Sequence, residues 1–175
     1  MSELSEKVEA QNPKRVQLRK SFIQTLTKLV ENDPKIILVI GDVGFSFLEP
    51  FRDLYPKQFL NTGAMEQSMM GIATGLANAG YKPYVYTMVN FVLVRPYEQV
   101  RNDICYGNAN VKLFAVKGSA SYKFLGMSHN LYGDEEINLL KELPNINYLI
   151  AQEEDDVTDF MMKEYVRQGP SYCRI

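Results

Sequence analysis

The chain has 175 residues, of which 46% are hydrophobic and 23% charged, and this composition is typical of a soluble globular domain. A formal net charge of -2 with no basic cluster gives no reason to expect a nucleic acid or an anionic membrane as partner. The longest apolar runs, such as residues 36–40, are too short to cross a bilayer. Two distant cysteines and one histidine predict neither a disulfide framework nor a His-rich metal site within the chain. With a polar N-terminus that lacks an apolar core, these features favour a cytoplasmic location.

The elements can be predicted in chain order from the spacing of apolar residues. Residues 1–16 form a polar N-terminal arm, and a helix with apolar residues at helical spacing follows from Leu18 to Leu29. Strands or extended segments are then predicted at 36–40, 59–61, 83–88, 111–116, 147–150 and 171–174. Helices are predicted at 48–54, 65–79, 93–106, 135–143 and 155–168, and a long loop at 117–132.

This alternation of strands and helices has short connections and predicts an α/β fold with one doubly wound, mostly parallel sheet. Residues 17–175 therefore form a single domain. Ligands in such folds lie beyond the carboxyl ends of the strands, so the segments that follow strands carry the candidate site.

One of those segments, residues 61–80, combines an acid with a run of small residues. Glu66 begins a helix in which Gly71 and Gly75 lie one turn apart. Each glycine costs a helix about 1 kcal/mol relative to alanine. Close approach by another helix, such as one from a second subunit, would offset that cost.

Residues 61–80 resemble the transketolase family, in which a Gly-x-x-Glu-Gln motif begins a Gly/Ala-rich helix. Further segments are similar to the family in the same order and at similar spacing: 84–91, 95–103, 110–113 and 128–130. The resemblance extends over about residues 17–175. It implies the pyrimidine-binding domain of a thiamine-diphosphate-dependent enzyme.

The resemblance gives Glu66 a chemical role. In this family a carboxylic acid bonds to a nitrogen of the cofactor's aminopyrimidine ring and favours the imino tautomer, which can then remove the thiazolium proton. The acid must hold or share a proton near neutral pH, which partial burial would favour. The alternative is a first-turn acid that only complements the helix dipole, worth at most about 1 kcal/mol.

Three further residues would line the cofactor pocket by resemblance. Phe91 would stack on the aminopyrimidine ring, although a core aromatic is the alternative at such a strand-to-helix junction. Met88 occupies a position where the family usually has another aromatic residue. Asp42 follows the first strand, where family members often have an acid near the cofactor, and a plain loop acid is equally compatible with the sequence.

Substrate contacts are implied for His129, Asp134 and Arg95. His129 and Asp134 match family positions that contact sugar hydroxyls or phosphate, and His129 is also a catalytic candidate. Arg95 would meet a substrate phosphate or form a salt bridge at the start of a helix. The family commonly has Glu-Asp-Gly before this histidine, whereas this chain has Phe124, Leu125 and Gly126, which leaves an unusual or unphosphorylated substrate open.

The chain offers no ligand set for the Mg²⁺ that would hold the cofactor's diphosphate. The resemblance therefore implies a separate diphosphate-binding subunit that carries Mg²⁺. A second copy of this chain would pack against the Gly71/Gly75 helix in an α2β2 assembly. The start at methionine favours a natural subunit over a fragment of a longer chain.

The function expected from this resemblance is two-carbon (ketol) transfer on sugars or sugar phosphates. Three alternatives remain open: a subunit of a split 2-oxo-acid decarboxylase, a non-catalytic scaffold subunit that retains the fold, and a flavodoxin-like binding module.

Overall fold

The computed structural model describes residues 13–45, 47–117 and 125–175. Its strands are β1 Ile36–Ile40, β2 Phe59–Asn61, β3 Lys82–Met88, β4 Lys112–Val116, β5 Asn147–Ile150 and β6 Ser171–Arg174. Its α-helices are α1 Pro13–Val30, α2 Glu49–Leu54, α3 Glu66–Asn78, α4 Tyr97–Gln99, α5 Glu135–Lys141 and α6 Glu154–Val166. A 3₁₀ turn spans Pro56–Gln58, and π-helical turns span Asn90–Val94 and Val100–Tyr106, on either side of α4.

The six strands form one sheet in the order β2-β1-β3-β4-β6-β5, and every neighbouring pair is parallel. All five residues of β1 are buried, as expected for a strand covered on both faces. The chain moves from β1 to one neighbour, β2, and then returns to the other side of β1 to form β3. Such a reversal opens a crevice at the carboxyl ends of the strands.

Helices cover both faces of the sheet, and a separate apolar core lies under each layer. One core packs α1 and α6 against the aromatic side chains of Tyr84, Tyr86 and Phe114. The other packs α3, α5 and residues 90–106 against residues such as Val85 and Leu113. The doubly wound α/β fold predicted from the sequence is confirmed, with a sheet that is parallel throughout.

The first helix begins at Pro13, inside the stretch assigned from sequence to the N-terminal arm. Proline suits the first turn of a helix, since its missing N–H has no intrahelical acceptor there. Residues 1–12 of the predicted arm lie outside the described residues.

The single α-helix predicted for residues 93–106 is wrong. The segment begins at Asn90, and its turns on either side of α4 are wider than α-helical turns: the N–H of Arg95 donates to the carbonyl of Asn90 at 3.0 Å. Pro96 accounts for the first of these turns, because it cannot donate the i→i−4 hydrogen bond that would continue an α-helix. We call residues 90–106 the wide helical segment.

The loop predicted for residues 117–132 is described only in part, because residues 118–124 lie outside the described residues. Residues 125–128 form a short 3₁₀ turn rather than an irregular loop. No helix among the described residues is long and apolar enough to span a membrane.

The amino ends of the strands are held together by a buried lysine. Lys112, at the start of β4, is 1% exposed and donates hydrogen bonds to the carbonyls of Arg167 (3.0 Å) and Gly169 (2.8 Å). Burial lowers the pKa of Lys112 to about 8, although the nearby Glu164 carboxylate acts in the opposite direction. This cluster joins β4 to the connection that enters β6, at the edge of the sheet opposite the candidate site.

Candidate functional site

Glu66 lies at the carboxyl edge of the sheet, where β2 ends and α3 begins. A tight turn precedes it, in which Gly63 adopts a left-handed conformation with φ of 77° and Thr62 Oγ1 donates to the carbonyl of Ile40 at 3.1 Å. Glycine takes this conformation without the steric cost that a side chain adds. The turn places Glu66 as the first residue of α3, where it is 7% exposed. The carboxyl group is therefore buried.

Arg95 forms an ion pair with this buried carboxylate. Its Nη1 lies 2.8 Å from Oε1 of Glu66, and the side chains are 48% and 8% exposed respectively. A buried charge needs such a partner. Of the two roles that the sequence allowed for Arg95, the structure shows the salt bridge at the start of a helix, and its partner is the principal catalytic candidate.

Phe91 connects this ion pair to His129. The guanidinium carbon of Arg95 lies 4.2 Å from the centroid of the Phe91 ring, and Phe91 itself is 7% exposed. The His129 ring also approaches the Phe91 ring, edge-on and with a centroid distance of 5.1 Å. Four of the residues singled out from the sequence thus form one continuous set of contacts: Glu66, Arg95, Phe91 and His129.

Asn90 holds the loop that carries His129, and the sequence analysis did not identify it. Its Nδ2 donates to the carbonyl of Met127 at 2.8 Å, and the residue is 3% exposed. Its Oδ1 is buried without a hydrogen-bond partner in the described part of the chain. The Nδ1 of His129 lies 2.8 Å from Ser128 Oγ. The signal for Asn90 was its position as the single amide in the apolar run of residues 88–94.

Asp42 and Met88 lie at the ends of the strands on either side of the crevice. Asp42 follows β1 in a left-handed conformation with φ of 56°, and its side chain is exposed. Its N–H donates to Oδ1 of Asn61 at 3.0 Å, and the same oxygen accepts the N–H of Gly63 at 3.0 Å. Asn61, which the sequence analysis passed over, therefore joins the turns after β1 and β2. Met88 is the half-buried last residue of β3.

Asp134 stands apart from these residues. It occupies the N-cap position of α5 and is exposed. Within residues 13–45, 47–117 and 125–175, no hydrogen bond or ion pair joins its carboxylate to Glu66, Arg95 or His129. Of the three residues that stand in place of the family's Glu-Asp-Gly, Phe124 lies outside the described residues, whereas Leu125 and Gly126 belong to the 3₁₀ turn.

A cleft of about 350 Å³ opens at the start of α3 and is lined by Ala64, Met65, Glu66, Gln67, Ser68 and Arg95. The cleft contains the buried Glu66 carboxylate and the guanidinium of Arg95, which in turn lies over the ring of Phe91. This combination suits a planar heteroaromatic group that can hydrogen-bond at its edge and stack on its face. Among the described residues, no group of three or more His, Cys, Asp or Glu side chains is placed to hold a metal ion.

The outer face of α3 is open. Gly71 and Gly75 are both exposed, and a Cβ built on either would have no atom within 4 Å. Ile72 and Met65, 37% and 47% exposed, lie on the same helix and just before it. The small-residue face predicted from the sequence thus has no neighbour within the described part of the chain.

Comparison with known proteins gives a consistent result. Residues 14–175 match the family model described as "Transketolase, pyrimidine binding domain". The chain is 37% identical over 133 residues to one subunit of the apulose-4-phosphate transketolase of Phocaeicola vulgatus, an alignment that covers 75% of this chain and 42% of that protein. It is 34% identical over 137 residues to the 1-deoxy-D-xylulose-5-phosphate synthase of Halalkalibacterium halodurans, covering 78% of this chain and 21% of that protein.

Among solved structures, the chain is similar to that of a split-gene transketolase in the form of an inactive β4 tetramer, with a TM-score of 0.78 and 30% identity. The match covers 90% of this chain and 50% of that one. The chain therefore spans half or less of these relatives. Since the family model matches nearly the whole chain, the protein belongs to the family of transketolase pyrimidine-binding domains.

Proposed function

We propose that this chain is the pyrimidine-binding subunit of a two-part, thiamine-diphosphate-dependent transketolase, in which Glu66 activates the cofactor for ketol transfer. The observation that carries the proposal is the burial of the Glu66 carboxyl group at a cleft whose Arg95 guanidinium lies over the Phe91 ring. A first-turn acid that served only the helix dipole would gain nothing from burial, because burial removes the carboxylate from water.

The residues present fit the ring end of thiamine diphosphate. A buried carboxyl group can share a proton with a ring nitrogen, and an aromatic face can support the ring. When bound, the cofactor supplies a nucleophilic thiazolium carbon. Glu66 would hold the shared proton on a carboxyl oxygen, and Phe91 would orient the ring and exclude water from its face. Met88 and Asp42, at the neighbouring strand ends, would form the remaining wall on this side.

The relatives and the loop that carries His129 support sugar or sugar-phosphate substrates for the proposed enzyme. One relative is named a transketolase for apulose 4-phosphate, which supports a phosphorylated sugar for this chain. His129 would contact a sugar hydroxyl or act on it as an acid or base, since its ring touches the Phe91 ring. Asp134 and Arg95 would complete the substrate contacts.

The rest of the active site would come from a separate subunit. Two of the relatives are a transketolase subunit and a split-gene transketolase, and both support a partner that binds the diphosphate through Mg²⁺. The β4 tetramer formed by the split-gene relative supports self-association of this subunit, for which the open Gly71/Gly75 face is available. We expect an α2β2 enzyme of carbohydrate metabolism in the cytoplasm.

The test is reconstitution with a diphosphate-binding partner, followed by substitution of Glu66. Glu66→Gln keeps the shape of the side chain and removes its proton chemistry, so turnover should fall by at least about 100-fold. Size-exclusion chromatography should show that the variant still assembles with the partner as the wild type does. Glu31→Gln, at an exposed position beyond the end of α1, is the matched control and should retain full activity.

Two outcomes would contradict the proposal. Full turnover in Glu66→Gln would instead support a scaffold subunit. Tight binding of thiamine diphosphate by the isolated chain would contradict the division of the site between two subunits.

A further inference from the structure

We propose that Arg95 occupies the surface that receives the cofactor's pyrimidine ring, and that binding of the ring must displace it. This inference rests on the proposed function. We define the ring surface as the Glu66 carboxylate together with the adjacent face of Phe91. Arg95 would then control access to the cofactor site as well as contacting substrate.

The geometry places one guanidinium on both halves of the ring surface. Its Nη1 lies 2.8 Å from Glu66 Oε1, and its central carbon lies 4.2 Å from the centroid of Phe91. A guanidinium is planar, stacks on aromatic rings and presents N–H donors to a carboxylate. An aminopyrimidine needs the same carboxylate edge and the same aromatic face. Both groups cannot occupy the ring surface together.

Because Glu66 is buried, its carboxylate needs a hydrogen-bonding or charged partner on the ring surface. The Glu66 side chain is 8% exposed, and an unpaired carboxylate at that depth would be costly. In the described part of the free chain, Arg95 supplies the compensating charge. The incoming ring would take over this role by forming its own hydrogen bond with the carboxyl group.

Arg95 is also placed so that it can leave. Its side chain is 48% exposed, so the guanidinium can return to water once the ring has replaced it. A partly exposed ion pair and an exposed cation–π contact each favour the arrangement with Arg95 on the ring surface over the arrangement with Arg95 in water, by up to about fivefold. Together they would weaken ring binding by about tenfold and would not prevent it.

The experiment measures binding of the ring alone to the isolated chain. The probe is 4-amino-2-methylpyrimidine, titrated into isotope-labelled protein and followed by NMR. Arg95→Met retains a flexible apolar side chain and removes the guanidinium, so it should bind the probe about tenfold more tightly than the wild type, a difference of about 1.4 kcal/mol. The double variant Glu66→Gln/Arg95→Met should lose this gain.

Arg101→Met is the matched control. Arg101 lies on the same wide helical segment, is exposed, and contacts the ring of Tyr97 at 5.9 Å. Its removal should leave probe affinity unchanged. Arg95→Gln provides a second variant if thermal unfolding shows that Arg95→Met has lost its fold. In the wild type, the Arg95 side-chain N–H resonance should shift as the probe saturates.

Equal or weaker affinity in the Arg95 variants, or no binding to them at all, would overturn the inference. Its failure can be separated from failure of the proposed function. If Glu66→Gln abolishes turnover of the reconstituted enzyme while Arg95→Met binds the probe like the wild type, the catalytic role stands and the displacement of Arg95 is wrong. If Arg95→Met binds the probe more tightly while Glu66→Gln keeps full turnover, the displacement of Arg95 by the ring is supported and the catalytic role of Glu66 is wrong.

Discussion

The imidazole of His129 meets the ring of Phe91 edge-on, with ring planes at 75° and centroids 5.1 Å apart. The two residues follow different strands of the sheet, β4 and β3. Their contact therefore joins the loop proposed to bind substrate to the surface proposed to bind the cofactor. We therefore expect a substitution at either ring to change the position of the other ring.

Phe91→Leu tests the stacking role. The substitution keeps an apolar side chain but removes the flat face, so cofactor affinity of the reconstituted enzyme should fall by about 10-fold, as expected for loss of an aromatic contact. Isothermal titration calorimetry with thiamine diphosphate provides the measurement. Tyr106→Leu, a 69% exposed position at the far end of the wide helical segment, is the control. Equal affinity in Phe91→Leu and wild type would make Phe91 an ordinary core residue.

Asn90→Asp tests whether Asn90 positions the His129 loop. The new side chain has the same shape but no donor for the carbonyl of Met127, and it adds a charge to a buried position. Stability should fall by about 1–3 kcal/mol. The His129 ring resonances should also move, because the ring would no longer be held against Phe91. Asn102→Asp, at an exposed position of the same segment, should change neither property. A destabilised variant with unchanged His129 resonances would leave Asn90 a purely structural role.

Gly71→Ala and Gly75→Ala should have opposite effects on the monomer and on its assembly. Because each new methyl group would lie in open space, the helix should gain about 1 kcal/mol in stability. If another copy packs closely on this face, the same methyl groups should weaken self-association. Denaturant unfolding and analytical ultracentrifugation measure the two quantities. Lys163→Ala, exposed on α6, is the control for assembly. Unchanged association in both glycine variants would place the self-contact elsewhere.

Asp33 should make the fold sensitive to acid. Its carboxylate accepts hydrogen bonds from Lys82 Nζ (2.7 Å), from the N–H of Lys35 (2.9 Å) and from Tyr165 OH (3.1 Å). Burial acts to raise the pKa of Asp33, but these hydrogen bonds and the charge of Lys82 together lower it below its usual 3.8. The stabilisation is therefore present above pH 3.8 and is lost as the pH falls through the lowered pKa.

Asp33→Asn should cost about 1.5–3 kcal/mol at neutral pH, as expected for a hydrogen-bonded charged group. Its difference in Tm from the wild type should shrink as the pH is lowered below the usual pKa of the carboxyl group. Thermal unfolding across this pH range measures the effect, with the exposed Asp103→Asn as control. A difference that stays constant at acid pH would show that the charge of Asp33 is not what stabilises the fold.

Local patterns in the sequence were sufficient for most of the fold. Strands β1, β5 and β6 begin and end where the sequence predicted. For β1 the following Gly41 and for β6 the preceding Pro170 are residues that disfavour strands. The wide helical segment could not be predicted in the same way. Its apolar spacing was helical, and that spacing does not distinguish the wider π-helical turns from α-helical ones.

The site was harder to predict than the fold. Glu66 and Phe91 were found through the family pattern, but the ion pair between Glu66 and Arg95 joins residues 29 positions apart on separate elements. No local pattern encodes such a contact. Asn61 and Asn90 were missed for the same reason, since their importance lies in which backbone groups they meet across the carboxyl edge.

The position of β6 in the sheet has a consequence for synthesis of the chain on the ribosome. β5 is made before β6 but pairs with the rest of the sheet through β6, which lies between β4 and β5. The nascent chain must therefore keep Asn147–Ile150 unpaired until Ser171–Arg174 has left the exit tunnel. A truncated product that ends before Ser171 would leave β4 and β5 with unsatisfied edges, and such edges invite aggregation.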